Sequence, residues 1–202
     1  DMLDVEGYVR GLARRRQDID VSIMRLQALL GPRINTRMSS YLSLPVVPTV
    51  IGYQPRLQFL HEEDALAAME HVTLRGKPGT FNIAGDGVVT LTQAIRRVGH
   101  VELPVLGGLL APITGVMQNL RSARLRSSQT EFLTYGRVLD TTRMRTELGF
   151  APRYSTLETL DDFVERSGVT PVIAPDTWRK AERQVVSACL LYTSDAADEE
   201  DS

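Results

Sequence analysis

Three observations predict an α/β fold for this chain. The apolar run "VSIMRLQALL" is near-continuous and stops at Gly31-Pro32, as a strand buried on both faces does on meeting a turn. Further extended apolar runs then alternate with helical patterns along the chain. Two of those helices carry local stop or start signals, a capping box at Ser155–Glu158 and glycines at Gly149 and Gly168.

Taken in order, helix is expected over residues 1–17. Met2, Val5, Val9 and Leu12 fall on one face, and Arg14, Arg15 and Arg16 suit the negative end of the helix dipole. Strand is expected over 20–30, then a short helix over 38–44. "PVVPTVIG" is held extended by its prolines. "LQFL", residues 57–60, reads as a short strand, and 61–74 as a helix with Glu62, Glu63 and Asp64 in its first turn. "GTFNIAG" reads as strand and turn, and "VVTLTQAIRRVG" as a strand end, a Thr cap and a helix. "HVELPVLG" is extended again, with helices expected over 108–124 and 129–133. "RVLD" reads as a short strand, 141–148 as a helix and 155–168 as a capped helix. Residues 170–175 read as a linker.

Composition narrows the class. Hydrophobic residues at 43% and charged residues at 24% fit a soluble globular chain of one domain or slightly more. The formal charge of −2 predicts no nucleic-acid or membrane partner. The longest apolar stretch, residues 101–116, contains Glu102 and two prolines and is too broken to span a bilayer. No signal peptide is expected, and the expected compartment is the cytoplasm. One cysteine excludes a disulfide framework, and His61, His71 and His100 lack metal-ligand spacing.

The end of the chain reads differently. "CLLYTSDAADE", from Cys189 to Glu199, has no clear period and resembles the in-frame translation of a sequencing-library adapter. Residues 188–202 are therefore expected to be foreign to the protein, and removing them should leave the melting temperature unchanged. That tail holds five acidic residues and no basic ones, so the sign of the net charge depends on it.

Four stretches in order resemble one family, the NAD-dependent epimerases/dehydratases, or extended short-chain dehydrogenases. "RLQALLGPR" is similar to its Arg-x-x-Asn-x-Tyr-Gly-Pro strand and loop. "QFLHEEDALAAM" resembles its Phe-Val-His-Val-Asp-Asp-Val-Ala segment. "GTFNIAGDGVVTLTQAI" resembles its Asn-Ile-Gly-Gly strand and following helix, and "RVLDTTRMRTELGFAPRYSTLETL" its Asp-x-x-Lys-x-x-x-x-Leu-Gly-Trp-x-Pro block. The resemblance covers residues 1–168. It implies the C-terminal part of a Rossmann-type doubly wound fold plus a small α/β substrate domain, with 169–187 as an extension. Asp4 then fits the acid that follows the family's Tyr-x-x-x-Lys pair, which places that pair before Asp1. No Gly-x-x-Gly-x-x-Gly occurs in the chain, so the chain alone is expected not to bind NAD.

The resemblance also implies site residues. Leu26 and Gln27 match the strand end that faces the nicotinamide of NAD or NADP. Ala28 stands where relatives place a substrate-holding asparagine, and an alanine cannot make that hydrogen bond. Gly31 and Pro32 shape the loop, and Arg33 is a candidate anion contact. The family's diphosphate-binding arginine aligns with Leu57. Arg56 is adjacent, but a one-residue shift in a strand reverses the face. His61 matches a family histidine and is expected to be a hydrogen-bonded structural residue; Asp64 and Asn82 also match. The basic runs at 14–16 and 121–126 are expected to be solvated helix faces. No catalytic residue and no metal ligand is assigned. The implied parent takes a small-molecule substrate, possible classes including a nucleotide sugar, and forms a homodimer through its first helix. The alternative is a non-catalytic dinucleotide-binding sensor or scaffold on the same fold.

Overall fold

The computed structural model describes residues 2–75, 77–106 and 135–173. The first part of the chain forms α1 (Met2–Arg15), β1 (Ser22–Leu26), β2 (Ala28–Leu30), α2 (Arg37–Leu42) and β3 (Val46–Val50). Next come β4 (Arg56–Leu57), β5 (Phe59–His61), α3 (Glu62–Arg75), β6 (Gly79–Ile83) and β7 (Val89–Thr90). The remainder is α4 (Leu91–Val98), β8 (Val101–Val105), β9 (Gly136–Arg137), α5 (Thr142–Thr146) and α6 (Thr156–Arg166). The helices expected over 108–124 and 129–133, the basic run at 121–126 and the adapter-like tail lie outside the described residues.

Strand pairing is mainly parallel, as expected when helices connect the strands. β1 pairs with β6, β2 with β5, and β3 with β8, all parallel. β4 lies between β7, antiparallel, and β9, parallel. Two apolar cores result. One gathers Leu30, Tyr41, Leu42, Phe59, Ile95 and Phe163 between α2, α4, α6 and the strands. The other gathers Leu60, Ala68, Phe81, Ile83, Met144 and Phe150 around α3 and α5.

The expected strands exist, but two of them are broken. The run over 20–30 changes partner at Gln27, from β6 to β5. "LQFL" breaks at Gln58 into β4 and β5. Both breaks fall on a buried glutamine, whose amide must find partners away from water. β1 is also only half-buried, with Arg25 exposed and held by Glu6 of α1 at 2.6 and 3.1 Å. The strand expected at "RVLD" is displaced: β9 is Gly136–Arg137, where the backbone pairs with β4.

The helix signals are met. Thr90 and Ser155 each accept from the backbone of the residue three ahead, whose side chain returns the bond. Of the expected linker over 170–175, the described residues 170–173 lie against α4. The amides of Val172 and Ile173 donate to the Gly99 carbonyl at 2.9 and 2.8 Å. The buried His100 ring faces the carbonyls of Leu42 and Thr170. Among the described residues no helix is long and apolar enough to cross a membrane.

Candidate functional site

The strand-end loop after β2 is built around one buried carboxylate. Gly31 is buried, and a Cβ there would lie 2.6 Å from the Glu62 side chain. Glu62, the first residue of α3, accepts the Arg33 amide at 3.1 and 3.3 Å and the Arg33 Nε at 2.8 Å. Glu63 accepts Arg33 Nη2 at 3.0 Å. The hydrogen bond it donates to Glu62 raises the Arg33 guanidinium above its ordinary value. The candidate anion contact therefore already has its charge matched by two carboxylates of its own chain. Gly31, Arg33, Ser43 and Phe163 line a cavity of about 490 Å³ beside this loop.

His61 sits at the N-terminus of α3, fully buried, with its ring 3.9 Å from that of Tyr154. The Glu63 amide donates to its Nδ1 at 3.2 Å, so Nε2 carries the proton and donates to Asp162 Oδ2 at 3.1 Å. Burial raises the Asp162 carboxyl, but the hydrogen bonds from His61 and Arg166 outweigh it and hold the group below its ordinary value. Burial and the Glu63 carboxylate push the Tyr154 phenol up. Both ring nitrogens of His61 are engaged, which makes it a structural tie between α3 and α6. Asp64, also buried, accepts the amides of Arg153 and Tyr154 at 2.9 Å each. Asn82 donates to the Asp140 carbonyl at 3.0 Å.

Leu26 packs against the second core, and Ala28 against the first. Gln27 donates through Nε2 to the Arg137 carbonyl at 2.8 Å and accepts the Ala28 amide at 3.1 Å. Arg56 is exposed on β4 and lines a second cavity, of about 480 Å³, with Arg137, Tyr53, Tyr135 and Gln54. The Tyr53 and Tyr135 rings meet edge to face, with centroids 6.1 Å apart. The structure thus brings Gly31 and Arg33 to one cavity and Arg56 to another, while His61 lines neither. Arg137, Tyr53 and Tyr135 carried no sequence signal for a site; the β4–β9 pairing and the Tyr53–Tyr135 ring contact bring them together.

Among the described residues no glycine-rich turn forms a phosphate cradle for a dinucleotide, and the Gln27 amide is taken up by the Arg137 carbonyl. No chemistry is therefore routed through such a cofactor here. Among the described residues no group of three His, Cys, Asp or Glu side chains is arranged to hold a metal ion.

No family model matches the chain. A protein of Mycobacterium tuberculosis (strain H37Rv), named only as uncharacterized, is 47% identical over 194 residues, covering 96% of this chain and 52% of the relative. The chain thus spans about half the length of that relative. Among solved structures, the UDP-glucose 4-epimerase of Thermotoga maritima with UDP-glucose superposes with a TM-score of 0.53. Identity is 17%, over 81% of this chain and 50% of that one. The dTDP-glucose 4,6-dehydratase of Bacillus anthracis in complex with NAD gives a TM-score of 0.50 at 16% identity, over 72% and 43% of the two chains. These structural neighbours are thus a nucleotide-sugar epimerase and a nucleotide-sugar dehydratase, and what they show for this chain is its α/β, Rossmann-type fold.

Proposed function

We propose that this chain is the substrate-binding part of an NAD(P)-dependent epimerase/dehydratase-like oxidoreductase or isomerase acting on a nucleotide sugar or related alcohol. The observation that carries this reading is the cavity lined by Arg56, Arg137, Tyr53 and Tyr135, on a fold shared with such enzymes. Two guanidiniums offer forked donors to phosphate oxygens. Two phenol rings offer flat, amphipathic faces to a base or a sugar. Arg56 is the anion contact in this reading. Ala28, Gly31 and Arg33 shape the strand-end wall, with Arg33 serving the loop through Glu62. NAD or NADP is the cofactor of the intact protein in this reading. The intact protein is a cytoplasmic homodimer joined through α1.

Titration of UDP into the chain tests the reading. Substituting either Arg56→Ala or Arg137→Ala should weaken binding about tenfold or more, the scale of a charge-assisted hydrogen bond. Equal affinity in all three proteins would refute it.

A further inference from the structure

We infer that Gln27 and Gln58 are positioning residues that hold the backbone of residues 137–139 and so keep Arg137 at the rim of the 480 Å³ cavity, which Arg56 also lines. The inference rests on the reading of that cavity as an anion site. Both glutamines are buried, at 7% and 6% exposure, and both interrupt a strand. A buried amide in a strand is costly unless its groups are satisfied, and here the partners come from one returning segment. Gln27 donates to the Arg137 carbonyl at 2.8 Å. Gln58 accepts the Leu139 amide at 3.0 Å and donates to the Gly85 carbonyl at 2.9 Å. The carbonyl of Arg137 and the amide two residues on are thus fixed from the strands below, while β4 pairs the same segment edge to edge. Two backbone anchors flank Val138. Without them the backbone of Arg137 itself is held, among the described residues, by the two-residue pairing of β9 with β4, too short to set a long side chain reliably. The rim arginine is therefore held by the strand-end residue that adjoins Ala28, which links the geometry of the two walls.

The experiment is a double-mutant cycle on the 202-residue chain, with inorganic pyrophosphate as the probe. Gln27→Met keeps the side-chain volume and removes the donor. It should weaken pyrophosphate binding about fivefold to tenfold, the scale of one lost hydrogen bond. In an Arg137→Ala background the same change should have no further effect, because the arginine it positions is gone. If Arg137→Ala weakens binding and Gln27→Met does not, or if the two effects simply add, the inference is overturned while the anion site stands. If Arg137→Ala leaves pyrophosphate affinity unchanged, the anion site itself fails and the inference falls with it. In the unaltered chain, pyrophosphate should also slow hydrogen exchange at the Leu139 amide held by Gln58; an unchanged rate overturns the clamp even where the buried variants do not fold.

Discussion

A methyl group at position 31 has no room, because the Glu62 side chain lies 2.6 Å from where it would be. Glu62 is flexible in principle, but the Arg33 amide and Nε pin it in place. Gly31→Ala should therefore cost about 1–3 kcal/mol, the usual penalty for overpacking. In a Glu62→Ala background, Gly31→Ala should cost far less. Urea unfolding of the four proteins checks this, and additive costs would show that the backbone, not Glu62, sets the need for glycine. Asp162 gives a second residue-scale expectation. Its pKa is lowered in the folded chain, so its stabilisation is present above the ordinary aspartate value and is lost as pH falls through the lowered one. Stability should fall on acidification below about pH 4, and Asp162→Asn should flatten that limb. Denaturant midpoints measured from pH 6 to pH 3 test it; parallel curves for the two proteins would assign the acid limb elsewhere.

Among the elements, α4 illustrates how one helix end organises a distant segment. Its C-cap, Gly99, has φ +82° and accepts two amides from residues 172–173. A Cβ there would lie 2.5 Å from the Ile173 carbonyl oxygen and 2.6 Å from the Pro171 Cβ. Gly99→Ala must therefore strain the left-handed cap and push the docked segment away together. We expect a loss of more than about 1 kcal/mol and faster hydrogen exchange at Val172 and Ile173. A melting curve that matches the unaltered chain would show that the docking contributes nothing to stability. The neighbouring strands show the converse case: β4 has two residues and β9 two, and the buried glutamines supply the order that such short pairing lacks.

For the whole molecule, the two cores close around α2, α3, α4, α5 and α6, and among the described residues neither draws on α1. Val5 and Tyr8 of α1 are 63% and 69% exposed, on a helix tied to β1 by the Glu6–Arg25 pair. An apolar helix face of this kind suits burial against another surface. On the homodimer reading, light scattering of the intact protein at micromolar concentration should give twice the chain mass. Val5→Glu with Tyr8→Glu should give a monomer; a monomer before the change would leave the α1 face to other packing.

Local chemistry made much of this legible in advance. Helix α6 follows from Ser155 and Glu158 and the glycine at 168; the strands near 22–30, 57–61 and 79–83 follow from their apolar runs and turn residues. These signals act within a few residues, so they survive in the sequence. What the tertiary structure alone decided is where each polar group went. Gln27 finds its partner 110 residues away and Gln58 one of its partners 81 residues away. His61 meets Asp162 at a separation of 101. Glu62 turns back on Arg33, so the cation that looked open to an anion is matched, while Arg56 and Arg137 share a cavity wall. Such pairings leave no period or motif, because they are set by which segments the closed cores bring together and by the need to satisfy every buried amide and carboxylate.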